Sequence, residues 1–155
     1  MAYEKTAVNV AKSQDQIRKL VLTNNGTGVA FVSQPPQEGF EAMVPIDGKT
    51  YNVRISATVK ASNSKATGRY YRGVWRPAVD KADAEARRIW RVLFYHMKSV
   101  YEATNSGVME FRELMLPYIV TKDNRTVAEH ILPKLDLAIA GRPERMLPAH
   151  RDDAE

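Results

Sequence analysis

The chain has 155 residues, 44% of them hydrophobic, a net charge of +5 and no cysteine. One domain of that size can bury a self-sufficient core, and the lack of thiols excludes disulfides, cysteine nucleophiles and thiolate metal sites. No stretch approaches the roughly 18 apolar residues of a membrane span, and the polar start from Met1 to Leu20 does not read as a secretory signal; the expectation is a cytoplasmic protein with no membrane partner.

Residues 1–12 show no usable period and read as a loose N-terminal arm. Ser13 followed by Gln16 has capping-box spacing, which predicts a short helix from Gln14 to Thr23 with Ile17, Leu20 and Val21 on its apolar stripe. Asn24-Asn25-Gly26 tolerates the left-handed stop that ends it. Gly26-Thr27-Gly28 precedes a strand rather than a helix, so it reads as a turn and not a phosphate loop. Val29 to Val32 is a short β-rich run, closed by a loop at Gln34-Pro35-Pro36-Gln37.

Period-two alternation is clearest next. Phe40, Ala42, Val44 and Ile46 fall on one face, Asp47-Gly48 supplies a hairpin turn, and Tyr51, Val53, Ile55, Ala57 and Val59 continue the apolar face. Asn52, Arg54, Ser56, Thr58 and Lys60 take the opposite, polar face. Pro45 inside the first strand points to an edge position or a bulge. Residues 61–73 lack aliphatic side chains and read as a long connection. Asp80 and Asp83 then open a helix from Lys81 to Thr104, in which Ala86, Ile89, Trp90, Leu93, Met97, Val100, Tyr101 and Thr104 repeat at three- and four-residue steps. Asn105-Ser106-Gly107 ends it. Val108 to Leu116 and a segment capped by Thr126 and Glu129 read as further helix, with Pro133 a kink or restart and Gly141 a terminator. Residues 142–155 are charged and Pro-bearing and read as a tail.

These elements predict a single α+β domain over 13–141: a short N-terminal helix, a three-stranded antiparallel sheet, one long helix packed on the sheet, and C-terminal helical cover. The order helix–strand–strand–strand–helix also matches the double-stranded-RNA-binding domain, but the long connection and the acidic start of the second helix argue against that assignment.

No catalytic motif stands out. His96, His130 and His150 are far apart and lack a second ligand at metal spacing, and no GxSxG, Walker or GxGxxG pattern is present. The expectation is therefore no enzyme, no metal and no cofactor. The charge pattern carries more. Residues 48–79 hold seven Lys and Arg and no acid, while the rest of the chain has sixteen bases against all eighteen acids. Within 61–76, Lys65, Arg69, Tyr70, Tyr71, Arg72, Trp75 and Arg76 interleave cations with flat rings. Cations neutralise phosphate and aromatic faces stack unpaired bases, the combination that single-stranded nucleic acid requires. Arg87 and Arg91 extend the basic run on the following helix, and Arg54 and Lys60 could add to it from the polar sheet face. The competing reading is that this basic-aromatic loop is an interface for another protein, a host factor or a second copy, since Tyr, Trp and Arg are favoured there too.

The C-terminal half adds a resemblance. Ala84 to Leu93, Gly107 with Phe111-Arg112-Glu113, Asn124 to Glu129 with Ile131-Leu132-Pro133, and a closing Leu147-Pro148 resemble a group of small phage and prophage proteins, more loosely before residue 80. The resemblance implies a phage-type accessory protein acting in the bacterial host cell, found with replication or recombination genes. It implies no activity and no functional residues.

Overall fold

In the computed structural model, which describes residues 6–34, 36–58, 69–76 and 81–141, helix α1 spans Val10–Thr23. It begins four residues ahead of the expected start at Gln14. Asn9 takes the cap role expected of Ser13, its side chain accepting the Lys12 N–H at 2.8 Å, and Asn is at least as good an N-cap as Ser. Ser13 is freed to join Ile17 and Val21 on the buried stripe, the three spaced at successive helical turns. The C-terminus is a Schellman turn: Asn25 sits at φ 66°, its N–H donates to the Leu22 carbonyl, and Gly26 N–H donates back to Val21 at 2.8 Å. A Cβ on Gly26 would lie 2.3 Å from the Val21 Cγ1, so the residue after this cap must be glycine for packing reasons.

Strands β1 (Gly28–Gln34), β2 (Gln37–Ile46) and β3 (Lys49–Thr58) form an antiparallel meander with β2 in the middle. Asp47 and Gly48 both have positive φ, the type I′ geometry that matches strand twist in a two-residue hairpin. Gln34 stands opposite Gln37, so β1 and β2 are also joined by two positions; Pro35 lies outside the described residues. The alternation runs as expected, with Phe40, Ala42, Val44, Ile46, Val53 and Ile55 buried, and Val59 lies outside the described residues.

Pro45 holds an edge position within the central strand and is not at a bulge. It sits in the central strand, in unbroken register opposite Thr50. The tight turn makes Ile46 and Lys49 a hydrogen-bonded pair, so the odd positions of β2 turn their N–H groups toward β1. β1 begins only at Gly28, opposite Met43, and Pro45 is already past its end. The missing donor therefore has no acceptor to disappoint.

Helix α2 (Lys81–Asn105) lies on the apolar face of the sheet and supplies Ile89, Trp90, Leu93, Phe94, Met97, Val100 and Tyr101 to the core. Phe31 meets Trp90 edge-on at 5.6 Å. Each such large side chain, fully buried, contributes about 1.5–3 kcal/mol of transfer free energy. α1 runs alongside α2 in the same direction, since Arg91 Nη1 reaches Gln16 Oε1 at 2.5 Å and Asn105 Nδ2 reaches Asn24 Oδ1 at 3.1 Å. α2 ends in a second Schellman turn at Gly107, φ 72°, close to the sequence expectation.

Between sheet and α2 the sequence predicts only a connection. The structure instead contains a small hairpin, β4 (Arg69–Tyr71) and β5 (Val74–Arg76), turned by Arg72 and Gly73 at φ 51° and 75°. Three residues per strand are too few to show a period, and Arg is not a residue that advertises a type I′ turn. After α2, the predicted helix over 108–116 shortens to α3 (Phe111–Met115), followed by a 3-10 turn at Leu116–Tyr118 carrying Pro117. Ile119 and Val120 then run beside β3, Val120 N–H donating to the Asn52 carbonyl at 2.8 Å.

Helix α4 (Val127–Gly141) opens on the expected capping box: Thr126 N–H donates to Glu129 Oε2 at 2.6 Å and Glu129 N–H to Thr126 Oγ1 at 3.3 Å. Pro133 does not restart it, and the helix runs through the proline. The carbonyl that Pro133 cannot satisfy, four residues back at Glu129, accepts Arg125 Nη2 at 2.7 Å instead. Beyond its first turn the helix is exposed, Leu137 to 74%.

Candidate nucleic-acid interface

The eleven residues singled out for phosphate and base contact fall into three groups. Lys60 and Lys65 lie outside the described residues. Arg69, Tyr70, Tyr71, Arg72, Trp75 and Arg76 lie on the β4–β5 hairpin, where the register sets Arg69 opposite Arg76, Tyr70 opposite Trp75 and Tyr71 opposite Val74. Arg72 is exposed at the tip. Its backbone is unusual: the other non-glycine residues at positive φ are Asn25, Asp47 and Asn124, types that tolerate the left-handed region, and Arg is not one of them.

Arg54, Arg87 and Arg91 form the third group, in which Arg54 and Arg91 are hydrogen-bonded within the fold. Arg54 projects from the polar face of β3, its Nε donating to Glu41 Oε1 at 2.6 Å and its two Nη groups to the carbonyl and side chain of Asn124. Asn52 donates to the second oxygen of Glu41 at 3.0 Å. The hydrogen bond from Asn52, joined by that from Arg54 and its charge, holds the Glu41 carboxyl below the usual range against the opposing effect of desolvation. This clamp pins the loop after Val120 to the sheet. It borders a cavity of about 310 Å³ shared with Ser56, Thr58 and Glu129.

Arg91 is only 7% exposed. Its guanidinium lies 4.7 Å from the Phe94 ring and 4.9 Å from Tyr95, and it donates to Gln16, so it joins α1 to α2. The signal was there in the sequence, because Phe94 and Tyr95 follow it at helical spacing, but spacing alone does not say which face turns inward. Arg87 is 3.6 Å from Asp83 at the expected i,i+4 step. Arg88 pairs with Glu85 and Lys98 with Glu102. The basic stripe of α2 is thus accompanied by acids along its length, whereas residues 48–79 contain none.

Two polar features escaped the sequence reading. Glu38 is 2% exposed and accepts the Trp90 Nε1–H at 2.6 Å, a buried link between sheet and α2. It sits one step before Phe40 in the inward series of β2, so extending the alternation back by two residues finds it. The second is a Thr121, Asp123 and His130 cluster at the start of α4. The Thr121 hydroxyl, then the His130 ring and the Arg125 N–H, hold the Asp123 carboxyl down to about 2. It contains the residue types of a nucleophilic triad but not the geometry. Thr121 Oγ1 at 3.0 Å and Asp123 at 3.0–3.1 Å both lie on His130 Nε2, whereas a relay needs them on opposite ring nitrogens. The cluster closes the loop ahead of the capping box.

Among the described residues no group of three or more His, Cys, Asp or Glu is arranged to hold a metal ion, and no helix is long and apolar enough to cross a membrane. Comparison with known family models, curated proteins and solved structures returns no match.

Proposed function

We propose that the chain is a non-enzymatic nucleic-acid-binding accessory protein that takes single-stranded DNA on the β4–β5 hairpin, in the phage replication or recombination setting that the C-terminal resemblance implies. One observation carries the reading: a segment devoid of acids in which two arginine positions oppose each other beside opposed aromatic positions. Like charges directly across an antiparallel pair destabilise it unless an anion lies between them, and phosphate is such an anion. Aromatic positions within the same hairpin suit stacked bases. Arg54 and Arg91 are engaged within the fold, and we place the phosphate contacts on the hairpin positions Arg69, Arg72 and Arg76, with Lys60 and Lys65 adjacent in sequence.

Three neutralised phosphates predict a log–log salt slope near about −2 on a single strand. A polarisation titration of single- and double-stranded DNA and RNA at several salt concentrations measures it, and an affinity indifferent to salt overturns the proposal. The second reading, a protein-interaction factor that uses the same loop as part of an oligomeric phage component or against a host machine, draws support from the half-exposed Ile131, Leu132 and Ile139 of α4. Under it, Tyr71→Ala and Trp75→Ala break an assembly seen by light scattering and leave DNA retention unchanged.

A further inference from the structure

The two edges of the main sheet are treated differently. β3 is closed by the chain itself: Val120 bonds to Asn52, Ile119 bridges Val53, and Arg54 holds Asn124. β1 has no such cover among the described residues, where it pairs with β2 alone. The two-position turn beside Gln34 and Gln37 commits the backbone of Gln34, Val32, Ala30 and Gly28 to β2, so the N–H and C=O groups of Val29, Phe31 and Ser33 point off the sheet.

Exposed edges are ordinarily blunted by charge, proline, a bulge or shortness. β1 has none of these. It is seven residues of Gly-Val-Ala-Phe-Val-Ser-Gln in continuous register, with Val32 46% exposed.

We infer that β1 is a self-association edge, pairing antiparallel with β1 of a second copy about a twofold axis at Phe31 to give a continuous six-stranded sheet. The strand is compatible with its own reverse. With Phe31 on the axis, Val32 faces Ala30 and Ser33 faces Val29, and no charge meets a like charge within the strand. On the core side Arg18 covers Phe31 at 5.1 Å, so the two copies of Arg18 flank the axis. Salt therefore strengthens this pairing by screening them, the opposite of its effect on DNA binding.

This surface is separate from the β4–β5 hairpin and stands whether or not the protein binds DNA. The test is sedimentation and light scattering of the nuclease-treated full chain over a concentration series, with hydrogen exchange read at single amides. The expected result is a dimer, with the Val29, Phe31 and Ser33 amides protected in it. Val32→Lys, on the exposed face, and Ser33→Pro, which removes an outward donor, both give monomers with unchanged circular dichroism and unprotected amides at 29 and 31. A monomer at every concentration overturns the inference. So does a dimer that survives both substitutions, or protection of those amides in a monomer, which means the chain covers its own edge.

Discussion

Arg91 is buried and Arg72 is exposed. Arg91 is desolvated between two rings, where a cation–π contact contributes up to about 2 kcal/mol, and its loss also leaves Gln16 without a partner. Arg91→Ala is expected to lower unfolding free energy by about 2 kcal/mol and leave the salt slope of DNA binding unchanged. Arg72 sits at the hairpin tip in a backbone region that costs an L-residue roughly 1–2 kcal/mol. Arg72→Gly is expected to stabilise the hairpin and to reduce the slope by about 0.7. Denaturant titration and salt-dependent polarisation on the two variants check both. If Arg91→Ala weakens binding more than Arg72→Gly at equal folding, the placement of the interface is wrong.

Helix α4 shows how a single element can contain its own repair. A proline in a helix interior costs about 3 kcal/mol, and the charge-assisted bond from Arg125 to the stranded Glu129 carbonyl offsets part of it. Arg125→Ala is expected to destabilise α4 by about 1 kcal/mol, and Pro133→Ala to stabilise it and to make the Arg125 substitution nearly silent. A double-mutant cycle followed by helical circular dichroism measures this, and simple additivity of the two would refute the pairing. The sequence shows the capping box and the proline but not their connection, because a side chain bending back to a backbone carbonyl leaves no periodic trace. The β2–β3 hairpin and α2 were legible for the opposite reason: long alternation and a long apolar stripe each sum many weak signals. β4 and β5 were not, with three residues apiece and a turn built on Arg72. The candidate site was legible as composition, and its register was not.

At the scale of the molecule, burial sets the response to pH. His96 packs against Tyr118 at 5.7 Å, its Nε2 is buried without a hydrogen-bond partner among the described residues, and desolvation lowers its pKa. The unfolded chain then binds a proton that the folded chain refuses, so stability is complete above about pH 6.5 and declines as pH falls below it. The carboxyl of Asp123, held at about 2, adds a second decline below the ordinary Asp range, since its folded form resists protonation. Urea midpoints from pH 8 to 5 are expected to fall in the wild type and to flatten in His96→Gln. An unchanged slope in that variant rules out His96 as the cause.

The shared direction of α1 and α2 has an electrical consequence. Side-by-side helices in most bundles oppose their macrodipoles, but here roughly half a charge at each end adds instead of cancelling. The carboxyl ends meet where Asn24 joins Asn105, with no basic residue in either last turn. The amino ends gather at the opposite pole, where Asp83 stands in the first turn of α2. The molecule is therefore polarised lengthwise, with the negative ends of both helices at one pole.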